Sequence, residues 1–236
     1  MNSKEGLTFL LRSFKYRNFS FFFTGQFFSL IGVWMQQIAL SWLVYRLTGN
    51  TLILGFTAFI GQLPTFILSP FTGVFADKFN RHRTMIFTQI MAMIQATILF
   101  LLVWTDNIQI WHIFVLAAFA GLIHAIDAPV RHAFIPEMIE KKKDLPNAIA
   151  LNSAMFNGAR LVGPSFAGII IATYGEEACF FINAITYIIV ISAFLMMKIN
   201  KDREKKVKRT KVISDLADGF LYAFSFLPIR YILLHL

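Results

Sequence analysis

Apolar residues run along this chain in long unbroken blocks, separated by short polar gaps. The blocks cover residues 19–45, 52–74, 84–104, 109–128, 146–173 and 177–199. About 20 apolar residues rising 1.5 Å each cross the roughly 30 Å hydrocarbon layer of a bilayer. The pattern therefore predicts six membrane-spanning helices, whereas a membrane β-barrel would show alternating segments of about ten residues. A seventh run starts near Phe220, is interrupted at Pro228-Ile229-Arg230, and has nine residues from Pro228 to Leu236, too few to span. This divides the chain into a cytoplasmic lead (1–18), a six-helix transmembrane unit (19–199), a linker (200–219) and the start of an incomplete seventh helix (220–236).

The segment ends carry punctuation. Asn50 and Thr51 suit the start of the second span, and Asp144 with Pro146 the first turn of the fifth. Trp104 and Trp111 flank one loop, where amphipathic rings favour the membrane interface. Ala128-Pro129 is expected to end the fourth span. Arg131–Lys143, which mixes Phe134, Ile135, Met138 and Ile139 with charges, reads as a short helix lying on the membrane surface.

Composition changes the picture only by confirming the solvent. Of 236 residues, 57% are hydrophobic, 15% are charged and 27 are Phe, against roughly 45–50% apolar and about 25% charged in soluble domains. Charge adds orientation. The lead and the gaps after spans two, four and six hold nineteen of the 22 Lys and Arg residues, and the gaps on the opposite side hold Arg46. The positive-inside rule then places both termini in the cytoplasm. The lead, with Lys4, Arg12, Lys15 and Arg17 and no apolar core, reads as cytoplasmic rather than as a cleavable signal. The net charge of +9 thus reflects topology and anionic lipid, and nucleic acid is not expected as a partner. The lone Cys179 has no disulfide partner in the chain.

Chemistry starts in the gap after span two, Gly73-Val74-Phe75-Ala76-Asp77-Lys78-Phe79-Asn80-Arg81-His82-Arg83. The glycine permits close helix approach, a carboxylate follows at the membrane edge, and cations with Asn80, a residue tolerant of left-handed φ, complete a tight turn. This resembles the signature loop of the major facilitator superfamily, with Asn80 in place of that loop's second glycine. Leu11–Phe19, Gly61-Gln62-Leu63-Pro64, Leu145-Pro146-Asn147-Ala148 and Asn152-Ser153 are similar to the branch of enterobactin exporters and macrolide-efflux proteins, the transmembrane secretion effectors. The resemblance covers residues 10–230. It implies an all-α bundle of six transmembrane helices, built as a 3+3 inverted repeat, that forms the N-terminal half of a twelve-helix fold. It also implies a gating role for Gly73, Asp77, Lys78, Arg81 and Arg83: the acidic residue and its cations latch the cytoplasmic side in one conformation and release it in the other.

In the fifth span Ala159, Gly163 and Ala167 form a small-residue ridge at i, i+4, i+8, and Pro164 frees the carbonyl of residue 160 for a bend. With Gly168 they resemble the superfamily's antiporter-type motif, two glycines being replaced by alanine; helix packing with a kink is the plainer reading. Arg160 lies near mid-bilayer, where a cation costs at least about 2.5–3.5 kcal/mol, so it must face protein or a watered cavity. It is either a substrate or coupling residue, with Asn157 as a neighbour, or a structural arginine bonded to helix carbonyls. Asp127, at the expected end of span four, calls for a partner such as Arg131; it is either a helix-end ion pair or a proton-coupling or gating carboxylate.

On span one, Gln26, Ser29, Val33 and Gln37 fall on one stripe. Because the family lines its cavity with helices one, two, four and five, Gln26, Trp34, Gln37, His124 and Asn157 are cavity candidates. Gln89 and Gln95, on span three, are expected to be structural. The five His residues lack metal-ligand spacing, and no phosphate loop, nucleophile elbow or acid pair appears, so neither a metal, a cofactor nor a catalysed reaction is expected. The leading expectation is half of a proton-coupled exporter of small amphiphiles such as drugs or siderophores, in the bacterial inner membrane, completed by a C-terminal half or a second copy. The alternative is a truncated, non-transporting remnant or a membrane scaffold acting through its basic linker.

Overall fold

The apolar runs become six long helices: α1 Arg17–Thr48, α2 Thr51–Lys78, α3 Arg81–Trp104, α4 Ile110–Met138, α5 Leu145–Tyr174 and α6 Glu176–Leu195. A computed structural model describes residues 11–198, with Pro70 and residues 72–78 described in backbone only. Residues 1–10 of the lead, the linker and the seventh run lie outside the described residues. All six helices are long and apolar enough to cross a membrane. Gly49 takes a left-handed conformation (φ 59°) that ends α1, and the Asn50 side chain accepts the Leu52 amide to open α2.

Short loops force sequential helices to run antiparallel, yet the largest contacts are not sequential. α1 packs on α5 and α6, α2 on α4, and α3 on α4 and α6. Two apolar clusters result, one around Phe19, Phe22, Met85, Phe134 and Phe194, the other around Leu43, Leu99, Ile113 and Phe180. The described part of α2 stays largely uncovered, with Phe56, Phe59, Phe66 and Phe71 exposed.

Two expectations are corrected here. Helix four does not stop at Ala128-Pro129, and Arg131–Lys143 is no surface helix. α4 continues through Pro129 and Pro136 to Met138, followed by a 3-10 turn at Lys142–Asp144. Each proline removes one helix bond. The loss is offset because Val130, Phe134, Ile135 and Met138 are buried in the core. Asn80 is not left-handed either (φ −62°): it caps α3, its side chain accepting the Arg83 amide at 2.9 Å. An asparagine there serves as a helix cap, which a glycine could not do by side chain.

Candidate functional site

Polar side chains gather in two places with opposite character. The first is buried between α1, α3, α4 and α6. Asp127 is buried (4% exposed) and accepts three bonds: Thr88 Oγ1 and Gln89 Nε2 donate to its Oδ1, both at 2.9 Å, and Arg131 Nη2 donates to Oδ2 at 2.7 Å. The i,i+4 pairing with Arg131 is as expected, though it stands inside a helix and not at a helix end. Ser29 donates to Gln89 at 3.4 Å. Farther along α1, Asn183 donates to Gln36 at 2.7 Å and Gln36 to Gln95 at 2.9 Å. Ser29, Gln36, Gln89, Gln95, Asp127 and Arg131 border a cavity of about 40 Å³, large enough for water. Gln26 Nε2 and Arg131 Nε are buried at its edge with no hydrogen-bond partner among the described residues. His124 also borders it.

This cluster revises the reading of α1. Gln36, not Gln37, belongs to the buried stripe; Gln37 is exposed. Gln89 and Gln95 are part of the polar core itself. Periodicity places Gln37 on the stripe, but the partners Gln95 and Asn183 lie on the side of the helix that Gln36 faces, which only the tertiary packing reveals.

The second place is open. At the middle of α5, Arg160 is exposed, and its guanidinium lies 5.5 Å from the centre of the Trp34 ring. Trp34 meets Phe156 edge to face at 5.8 Å, and Trp34 Nε1 is buried without a protein acceptor. Asn157 is exposed nearby on α5 and donates to the Ser153 carbonyl at 2.9 Å. The ridge beneath explains the close approach of α1 and α5. Ala159, Gly163 and Ala167 are buried, and a Cβ on Gly163 would sit 3.0 Å from the Ile31 carbonyl oxygen and 2.5 Å from Trp34 Cβ. Pro164 lies inside α5, and Gly168 is exposed with open space around it.

At the end of the bundle where the lead lies, Arg81 donates to Glu137 at 2.7 Å, and Arg83 is exposed. The side chains of Asp77 and Lys78, and the surroundings of Gly73, lie outside the described residues. Read as a separate surface helix, the stretch around Glu137 gives no reason to place it at the cationic loop; the two further turns of α4 bring it there.

Beside this loop the lead clamps the start of α5. Ser13 donates its hydroxyl to Asn147 at 2.6 Å. Lys15 and the Tyr16 hydroxyl donate to Asp144 at 2.5 and 2.6 Å, with Arg12 at 3.4 Å. Hydrogen bonds from Lys15, then Tyr16, hold the Asp144 carboxyl down at about 2, and the same contact raises the Lys15 ammonium. Asp144 thus serves the lead, not the α5 amides, as its side chain makes no cap bond.

Residues 10–235 match the transmembrane secretion effector family. The staphyloferrin A transporter of Staphylococcus aureus is 30% identical over 201 residues, covering 83% of this chain and 50% of its own length. Macrolide efflux protein A of Streptococcus pyogenes is 21% identical over 238 residues, 92% of this chain and 58% of its own. The multidrug efflux pump Tap of Mycolicibacterium fortuitum is 23% identical over 193 residues, 79% of this chain and 47% of its own. The chain spans about half the length of the curated relatives it matches.

Proposed function

The chain belongs to the transmembrane secretion effector family of major-facilitator membrane transporters, and on that premise we propose that it forms half of a proton-coupled exporter of small amphiphilic compounds. The observation that carries this reading is Arg160: exposed at the middle of a membrane helix, over the Trp34 ring. A guanidinium at that depth cannot face lipid without a penalty of several kcal/mol. The α1–α5 face therefore borders a watered cavity, closed by a C-terminal half or a second copy. Trp34 and Phe156 offer apolar contact, Asn157 and Gln37 amides, and Arg160 a charge for an acidic or polar end. Relatives named for a siderophore and for macrolides agree with substrates of this mixed character.

Coupling is assigned to Asp127. Taking up a proton would remove the charge that Arg131 faces in the buried core, and so favour a different arrangement of α3 and α4. At the cytoplasmic end Asp77, Lys78, Arg81 and Arg83 would make and break the latch during rocking of the two halves. Both termini are assigned to the cytoplasm of a bacterial cell.

The test uses the complete protein in inverted vesicles with an imposed proton gradient, offered siderophores and macrolides. Gradient-dependent uptake is expected, and it should fall at least tenfold with Arg160→Ala. Absence of gradient-dependent flux for the whole panel, with the protein correctly folded, overturns the reading.

A further inference from the structure

On the outer surface of the bundle, away from both polar sites, α1 and α6 enclose an apolar groove of about 560 Å³. Its origin is local. Gly25 and Ala193 bring the two backbones together, a Cβ on Gly25 falling 2.9 Å from Ala193 Cβ. Small Ser20 and Ser192 leave a hollow beside this contact, and Phe21, Ile188, Ile189 and Met196 wall it. The mouth of the groove is cationic. Arg17 is exposed and its guanidinium lies 5.4 Å from the centre of the Phe21 ring. On the other side Asn18 exchanges two hydrogen bonds with the Lys198 backbone, at 2.8 and 3.1 Å, which holds exposed Lys198 at the same level.

We propose that this groove binds one acyl chain of an anionic phospholipid, with the headgroup phosphate held between Arg17 and Lys198. Depth supports a lipid over any soluble anion. From Arg17 to Gly25 the helix rises roughly 12 Å, close to the thickness of one leaflet of a roughly 30 Å hydrocarbon layer. The walls are mostly apolar, with the small hydroxyls of Ser20, Thr24 and Ser192 among them, and both cations sit at one end, which the charge distribution assigns to the cytoplasmic leaflet. An acyl chain fills the hollow, and a phosphate at the mouth is complementary to the two cations.

Native mass spectrometry of the complete protein, released from micelles holding equal amounts of phosphatidylglycerol and phosphatidylcholine, tests this. Retained phosphatidylglycerol is expected to exceed phosphatidylcholine, and the ratio should fall roughly fivefold for each cation removed by Arg17→Gln and Lys198→Gln. Ser192→Phe, which fills the hollow, should lower retention of both lipids. Lys142→Gln with Lys143→Gln, cations at the same membrane surface but on the α4–α5 loop, should leave the ratio unchanged; circular dichroism checks that each variant keeps its helices. Equal retention of the two lipids by the unmodified protein overturns the proposal. So does a ratio that survives loss of Arg17 and Lys198, one that falls equally with the Lys142 and Lys143 pair, or retention indifferent to Ser192→Phe.

Discussion

Arg131 sits inside the bundle with its guanidinium on Asp127, whereas Arg160 stands on the α5 face with the Trp34 ring beneath it. Both belong to apolar helices long enough to cross a membrane, and each carries a charge the bilayer disfavours. The first is neutralised by a carboxylate that α3 also serves through Thr88 and Gln89. The second has an aromatic face and open space. A polar group whose partners lie within the bundle is enclosed on several sides, while one meant for another molecule keeps a side open. The comparison yields a graded set of tests.

The greatest effect is expected from Asp127→Ala. It leaves Arg131 charged and unpaired in a buried site, a loss of about 3–5 kcal/mol by analogy with other broken buried pairs. Combining it with Arg131→Met should recover most of the stability, since the stranded charge is then gone. Thermal unfolding of the purified protein in detergent reads both. Melting of Asp127→Ala at the unmodified temperature would show that the core does not depend on the pair.

Next comes the ridge beneath the open face. Gly163→Leu drives a side chain into Trp34 and the Ile31 carbonyl, an overpacking cost of about 1–3 kcal/mol. Gly168→Leu, five residues on and facing open space, should leave the melting temperature nearly unchanged. Equal losses at both positions would mean that α5 is not seated on α1 by this ridge.

A smaller effect is expected at the lead, whose clamp lies at the water edge, outside the α5 span. The Asp144 carboxyl, held at about 2 in the fold, ionises near 3.9 in an unfolded chain. Its contribution is therefore fully present above about pH 4 and is lost as the pH falls through 2. Lys15 acts in the opposite sense: its raised ammonium stabilises the fold below the ordinary lysine value and ceases to do so in strong alkali. The gap in melting temperature between the unmodified protein and Asp144→Asn should narrow steadily from about pH 4 to pH 2. A gap constant over that interval would detach the clamp from this carboxylate.

These tests also mark what could be read from residue order. Span number and approximate limits were legible because length and apolarity alone decide them. The Ala159–Gly163–Ala167 ridge was legible for a similar reason, since spacing along one helix fixes a common face. The course of α4 was not: Pro129 suggests an end when read locally, and only burial of Phe134 and Met138 against other helices explains its continuation. The clamp was hidden for the same reason. Ser13 and Asn147 lie 134 positions apart, and the two segments were singled out separately with nothing to join them. Asp127 and Arg131 could be paired by i,i+4 spacing, but Gln89 and Thr88 come from α3, and no periodicity on α4 points to them.

The smallest change in stability, and the one that would break the comparison outright, is at Arg160. An exposed side chain whose recorded contact is one aromatic ring should contribute within about 0.5 kcal/mol to folding. Arg160→Ala is therefore expected to melt with the unmodified protein while gradient-driven export falls at least tenfold. Arg160→Lys should restore part of the flux, because the charge returns without the planar guanidinium that stacks on Trp34. The alternative is a structural arginine, and it predicts the reverse pattern: Arg160→Ala would lower the melting temperature as Asp127→Ala does, and flux per folded molecule would be preserved. Measuring melting and flux on the same preparation separates the two, since a transport residue moves only the second and a structural one the first.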